Sequence, residues 1–359
     1  MPRALPTTQT DLRIEFVASP SLDLVNAMYF THLARDRDEI DGWPKRIRAA
    51  APPDLLAELD GLFTFPGEQP GVMGALNDIL FAHPEAWKDI DALLRFVEAL
   101  PDDVGDVPDR PGVRGLVRYA FKWSAEARAA ERPDRDALKA ALAAAGLDVR
   151  AGLRLYDRPG EIRQRMGALL RRFHDEIYAP ELPRRLPCLE RSAQRYRGRP
   201  FRDVEQLMRD LTGRPVSCIV DEPERYQRFI FVPSPDMGPY VSCADIPPIH
   251  GLYYPCASPE AVDAGGDDRE VERWAQAYRA LGDLQRLRIL RLLRGRELYA
   301  QQVVELTGLH QSVVSRQLGY LKAVGLVRSR REGAMKYYSL EPAARETLAG
   351  ALALFGEGH

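Results

Sequence analysis

Residues 270 to 340 constrain this chain more than any other stretch: in about 70 residues, four helical periods follow one another across glycine joints and end in two β-rich runs. The first period runs from Glu270 to Ala280, with Trp274, Tyr278 and Leu281 on one face, and stops at Gly282. Asp283 is placed to cap the second, LQRLRILRLLR, whose spacing turns Leu287, Leu290 and Leu293 inward and Arg288, Arg291 and Arg294 elsewhere before Gly295 ends it. A short helix from Tyr299 to Thr307 follows, then the Gly308–Leu309 turn, then a helix over 311–324 with Val314, Leu318 and Leu321 as its buried stripe. Gly325 leads into 326–340, two extended runs whose tip is Glu332, Gly333 and Ala334.

The charge pattern singles out the same segment. Residues 270–340 carry 13 Lys or Arg against 6 Asp or Glu, net +7, whereas residues 1–269 are net −7 within a chain of net −2. A compact basic block on an acidic body fits a segment that meets a polyanion. On the 311–324 helix, Ser312, Ser315, Arg316 and Gly319 recur at i, i+3, i+4 and i+7, so small and hydrogen-bonding groups share a face. Such a face can sink into a DNA groove, and Gln, Ser and Arg match the donors and acceptors on base edges. Gln311, Ser312, Ser315, Arg316 and Gln317 are the candidate base-edge and nearby phosphate contacts; Arg328, Arg330, Arg331 and Lys336 are the candidate backbone clamps. The alternatives are a solvated helix face and a charged strand edge that discourages aggregation.

This order of elements resembles the ArsR-type winged helix-turn-helix family. The resemblance rests on Ala280–Asp283 (ALGD), Arg286–Leu290 (RLRIL), Ser312–Ser315 (SVVS), Leu321–Arg328 (LKAVGLVR) and Tyr337–Leu340 (YYSL), about one fifth of the chain. It implies a transcriptional regulator, often a repressor, that binds double-stranded DNA as a homodimer on an inverted-repeat operator, with helix 311–324 in the major groove and wing 326–340 on the phosphates. It also implies a dimer seam of Trp274, Tyr278 and Leu281 with Leu348, Leu352 and Phe355; packing within one chain is the competing use of those residues. Leu284, His310 and Gln317 depart from the family pattern, which alters sequence preference rather than the fold. Tyr299 and Gln301 stand where metal-sensing members carry a Cys-x-Cys pair, and 342–355 lacks His, Asp and Cys, so no metal is expected at either family site.

Upstream, residues 1–260 read as a mostly helical effector or dimerisation domain. Leu12–Val17 alternates as a strand, and Ser19 and Pro20 open a helix to about Ala34. Helical spacing recurs near 53–63, 84–100, 113–130, 134–145, 161–178 and 201–211. Over 216–256, the runs VSCIV, RFIFV, PYVSC and LYYPC between proline turns predict an antiparallel meander, which the N-terminal strand can join. Residues 261–269, with two adjacent glycines and two adjacent aspartates, read as the linker to a winged helix over 270–355. The expected class is therefore α+β: a helical domain with a small antiparallel sheet, then a winged helix-turn-helix.

Little in the first 260 residues points to chemistry. Nucleotide-binding glycine loops, H-E-x-x-H and G-x-S-x-G are absent, and no cofactor is expected. Cys243, His250 and Cys256 match no common zinc spacing, and four cysteines are too sparse for a disulfide scaffold. The longest uncharged stretch, Ile246–Pro259, is too short and proline-rich to span a membrane, and MPRALPTTQTDLR lacks a secretory apolar core; a cytoplasmic protein without membrane contact is expected. A non-enzymatic regulator whose N-terminal domain sets the dimer or senses a signal such as a small-molecule effector is the leading reading, with a ligandless architectural repressor as a further one. An enzyme with an unrecognised N-terminal catalytic domain, whose winged helix docks or dimerises, is the alternative.

Overall fold

The computed structural model describes residues 13–37, 39–65, 69–103, 112–121, 135–144, 148–201, 204–212, 226–263, 269–332 and 335–352. Helices dominate it, small sheets join them, and the C-terminal part is a winged helix-turn-helix. The first strand, β1 (Arg13–Phe16), leads into α1 (Pro20–Leu33), where the Ser19 hydroxyl accepts from the Leu22 N–H and Pro20 occupies the first turn. α1 is buried on nearly every side, as befits a helix through the middle of a core.

Around α1 gather α2 (Trp43–Ala50), α3 (Pro53–Phe63), the short pair β2 (Thr64–Phe65) and β3 (Gln69–Pro70), α4 (Val72–Ile79) and α5 (Ile90–Glu98). Then come α6 (Val113–Phe121), α7 (Arg135–Ala144), α8 (Val149–Asp157), α9 (Pro159–Phe173) with a π turn at His174–Tyr178, α10 (Leu182–Tyr196) and α11 (Val204–Thr212). α2, α4, α8 and α10 were not anticipated; α2 and α10 are polar and carry proline near their starts, which blurs apolar periodicity. α5 is shorter than the spacing near 84–100 implied, because the Asp89 carboxylate takes the Ala92 N–H at 2.7 Å and starts the helix there. Residues 122–130 of the expected third segment lie outside the described residues.

The sheet corrects the expected antiparallel meander. β4 (Arg228–Ser234), β5 (Ser242–Ile246) and β6 (Ile249–Pro255) combine with β1 in the order β1-β4-β6-β5. β1–β4 and β4–β6 are parallel, and only β5–β6 is antiparallel. The long helical excursion between β1 and β4 is the crossover that parallel neighbours require. Helices cover both faces: Ile230, Val232 and Tyr253 face the main core, while Phe229, Phe231, Leu252 and Tyr254 face a second core with α10 and α11. Burial on both sides explains why RFIFV is an uninterrupted apolar run rather than an alternating one. The expected VSCIV strand lies outside the described residues.

A buried ionic network ties these layers together. Asp23 of α1, wholly buried, accepts from Tyr178 Oη at 2.8 Å and Arg185 Nε at 2.9 Å, and Arg185 of α10 also pairs with Asp236 just past β4. Burial and the neighbouring Asp23 charge push the Tyr178 hydroxyl well up, so it donates as a neutral phenol.

The first part of the expected linker is a short helix, α12 (Pro259–Asp263), and residues 264–268 are outside the described set. α13 (Arg269–Leu281), α14 (Leu284–Leu292), β7 (Leu298–Tyr299), α15 (Ala300–Thr307), α16 (Gln311–Ala323), β8 (Val327–Glu332), β9 (Met335–Leu340) and α17 (Ala344–Leu352) complete the chain. They enclose a core of their own, in which Ile289, Leu293, Val314, Leu318 and Leu321 are buried. In α14 the inward stripe is set by Ile289 and Leu293; Leu287, expected inside, is 44% exposed because it lies on the same face as Leu284. β8 and β9 form the expected hairpin, with β7 on the outer side of β9.

Candidate nucleic-acid interface

α16 is positioned by local chemistry at both ends. Gly308 ends α15 at φ +68°, a conformation that a side chain would strain, and turns the chain toward α16. His310 occupies the N-cap: its Nδ1 lies 2.9 Å from Ser312 Oγ and 3.4 Å from the Ser312 backbone nitrogen. The capping role usual for serine is therefore carried by imidazole. At the other end Gly325, at φ +74°, turns the chain into β8.

Gln311, Ser315, Arg316 and Gly319 are exposed on α16, and Ser312 is half-buried at its first turn. No atom stands within 4 Å of where a Cβ at Gly319 would be, so the backbone there is open to close approach. Gln317 is a correction to the expected set. Its side chain is buried, because positions 314, 317, 318 and 321 fall on one stripe of the helix and that stripe faces the core.

On the wing, Arg328, Arg330 and Lys336 are exposed, and position 331 pairs in register with Lys336. Their charges are not equally available. Arg330 donates to Glu297 at 2.7 Å and Glu332 at 2.6 Å and stacks 4.8 Å from the Tyr337 ring centroid; these carboxylates raise its pKa. Arg328 bonds the neutral Ser339 hydroxyl at 3.2 Å, which leaves its charge without a carboxylate in that bond. Glu297, which lies before β7, gave no signal in the sequence that it would reach the wing.

The same helix touches the acidic N-terminal body. Arg316 Nη1 donates to the carbonyl of Asp36, 2.9 Å away, in the turn between α1 and α2. One turn on, Tyr320 is buried: Tyr240 packs at 6.3 Å between centroids, and Arg286 stacks on its ring at 4.9 Å. Tyr240 in turn donates to Glu39 at 2.7 Å, and burial followed by that carboxylate holds the Tyr240 hydroxyl far above its ordinary pKa. Sequence reading missed Tyr320 as a contact residue; the available signal was a large aromatic at i+4 from Arg316, on a face otherwise small and polar.

Three helices, a tight αL turn, an exposed small-residue face and an adjoining basic hairpin define a winged helix-turn-helix of the DNA-binding type. Comparison with known proteins then places this part of the chain: residues 283–329 match the model of bacterial regulatory proteins of the arsR family, so the chain carries an ArsR-family helix-turn-helix domain. The HTH-type transcriptional regulator Rv0324 of Mycobacterium tuberculosis is 36% identical over 80 residues, 21% of this chain and 35% of that protein. KmtR, an HTH-type transcriptional regulator of the same organism, is 34% identical over 83 residues, 22% of this chain and 64% of that protein. The chain thus spans about a third of the first relative and under two thirds of the second. Among solved structures, the homodimeric winged helix-turn-helix DNA-binding domain of a possible ArsR-family regulator from Mycobacterium bovis is 28% identical; it covers 26% of this chain and 97% of that fragment, at a TM-score of 0.22. These likenesses each cover about a quarter of the chain or less, and the N-terminal part lies beyond them.

Proposed function

We propose that this protein is a one-component transcriptional regulator that binds an operator as a homodimer. α16 enters the major groove and the β8–β9 wing lies along the phosphates. The observation that carries this reading is the exposure of Ser315, Arg316 and Gly319 on α16, which packs against β8, together with the exposed cations Arg328 and Lys336 of the β8–β9 hairpin. Gln311 and Ser312 sit at the leading end of the helix; Gln317 belongs to the core and drops out of the base-reading set. The phosphate role falls more on Arg328 than on Arg330, because Arg330 is already engaged by two carboxylates.

A symmetric dimer on an inverted repeat is supported by exposed apolar groups on the same domain: Val271 and Tyr278 of α13, Leu284 and Leu287 of α14 and Leu352 of α17. The M. bovis domain is described as homodimeric, in line with that arrangement. Within one chain α13 and α17 already touch through Tyr278 Oη and the Leu348 carbonyl, so a dimer would extend this pair rather than create it. Residues 1–260 serve in this reading as the sensing and orienting domain, and 270–355 as the reading head.

The test is Arg316→Ala measured on a duplex selected from a random pool and on unselected duplex. A base contact predicts a loss of about 1 to 3 kcal/mol on the selected duplex and a much smaller one on the other. Equal losses on both would reassign Arg316 to the phosphates.

A further inference from the structure

A cavity of about 290 Å³ opens where the N-terminal body meets α13 of the reading head. Its size is at the low end of small-molecule pockets. One side is the α1–α2 turn with Glu39 and Asp41, the floor is Arg185 with Asp236, and the far wall includes Glu260 and, from α13, Glu272 and Arg279. Six carboxylates and two guanidiniums line it. The imbalance extends below the floor: Arg185 is shared by two buried acidic side chains, Asp23 and Asp236. Burial, and after it the charges of Asp23 and Glu260, raise the Asp236 pKa against Arg185, which lowers it.

Trp43 supplies the apolar wall. Only 7% exposed, it lines the cavity, its indole N–H has no hydrogen-bond partner among the described residues, and its ring already accepts the Arg185 guanidinium at 4.8 Å from the centroid. A lining with more carboxylates than guanidiniums beside an aromatic wall is the complement of an organic cation.

We propose that this cavity binds a small organic cation, an ammonium or guanidinium on a short apolar stem, and that its occupancy changes DNA affinity. The cationic end sits among Asp236, Glu260 and Asp41, and the stem lies against Trp43. The coupling follows from one shared element. The α1–α2 turn supplies Asp41, which pairs with Arg279 of α13 at 3.3 Å, Glu39, which holds Tyr240 against Tyr320, and the Asp36 carbonyl, which holds Arg316. A ligand that draws Asp41 or Glu39 toward itself therefore acts on the same turn that restrains the DNA-reading side of α16. The carboxylates Asp236, Asp41 and Glu260 are each paired with an arginine, so a ligand cation competes with those guanidiniums for them. The coupling half rests on the DNA-binding reading above; the site itself does not.

The test uses the full chain with 1,4-diaminobutane, agmatine and choline as probes, 1,4-butanediol and succinate as controls, and titration calorimetry without DNA. At least one cation binds saturably at one per chain, the controls do not, and Glu260→Gln and Asp41→Asn, both at solvent-accessible carboxylates, each weaken it about tenfold, the worth of one charge contact. Absence of saturable binding by all three cations, equal binding of either control, or undiminished affinity in both variants overturns the site. At saturating probe the affinity for a selected duplex changes about fivefold or more in the wild type but not in Glu260→Gln, which separates the effect from the probe's own attraction to DNA. Unchanged duplex affinity on probe binding overturns the coupling. Probe binding with no affinity for any duplex at low salt leaves the site standing and refutes the DNA-binding reading instead.

Discussion

Replacing Arg185 with methionine tests whether the buried ionic network organises the N-terminal body. The side chain is 1% exposed, and its loss strands Asp23 and Asp236, at 0% and 3% side-chain exposure, without their shared cation. Breaking a buried pair by removing one partner costs about 3 to 5 kcal/mol, a large share of a domain's usual 5 to 15. The stacking on Trp43 and Tyr178, at 4.8 and 5.3 Å, goes with it and is part of the same loss rather than an addition.

The loss also has a pH signature. In the variant both carboxyls are desolvated and unopposed, so their folded-state pKa rises above the unfolded value near ~3.9. A group raised in this way contributes its stability below the unfolded pKa and loses it as pH climbs through the folded one, so the deficit is largest at pH 8 and shrinks toward pH 5. Urea unfolding followed by tryptophan fluorescence at both pH values measures it. Adding Asp23→Asn and Asp236→Asn to the variant recovers most of the deficit, because the stranded charges are then gone. A loss under about 1 kcal/mol at pH 8, or one equal at the two pH values, would refute the argument.

Three further outcomes follow from particular contacts. Arg328→Ala lowers the salt slope of duplex binding by about 0.9, the worth of one neutralised phosphate, while Arg330→Ala lowers it less because Glu297 and Glu332 already occupy that guanidinium; the reverse order in a salt titration would refute the assignment. His250 is buried between Tyr226 and Phe229 with both ring nitrogens unpartnered among the described residues, and burial lowers its pKa. Its contribution is thus present above the unfolded value near ~6.5 and lost as pH falls, so His250→Phe holds stability within about 1 kcal/mol at pH 7.5 and melts less steeply on acidification; an unchanged acid slope argues otherwise. Gly251→Ala drives a methyl into the Phe81 ring and costs about 1 to 3 kcal/mol, partly restored by Phe81→Leu; a neutral melting temperature would show that the sheet yields there.

Much of the reading head was legible because its signals are local. Asp283 capping α14, glycines at positive φ at 295, 308 and 325, and the small-residue face of α16 each act within a few residues of their own position. Where phase had to be exact, reading by spacing erred: Gln317 and Leu287 changed sides, since the apolar stripes of α16 and α14 are set by which residues meet the core and not by composition alone. The sheet was misjudged for a different reason. Strand runs were visible in RFIFV and LYYPC, but parallel or antiparallel pairing depends on a partner, here Arg13–Phe16, more than 200 residues away.

The order of residues alone thus settled the helix boundaries of the head, its hairpin and its excess of positive charge, because capping, turn conformation and side-chain charge are properties of neighbours in the chain. Only the tertiary structure decided that Arg316 meets Asp36, that Arg330 is taken by Glu297, and that Trp43, Arg185 and Glu260 wall one cavity. Those contacts join positions up to 280 residues apart, and their existence depends on how the cores stack, which no local pattern encodes.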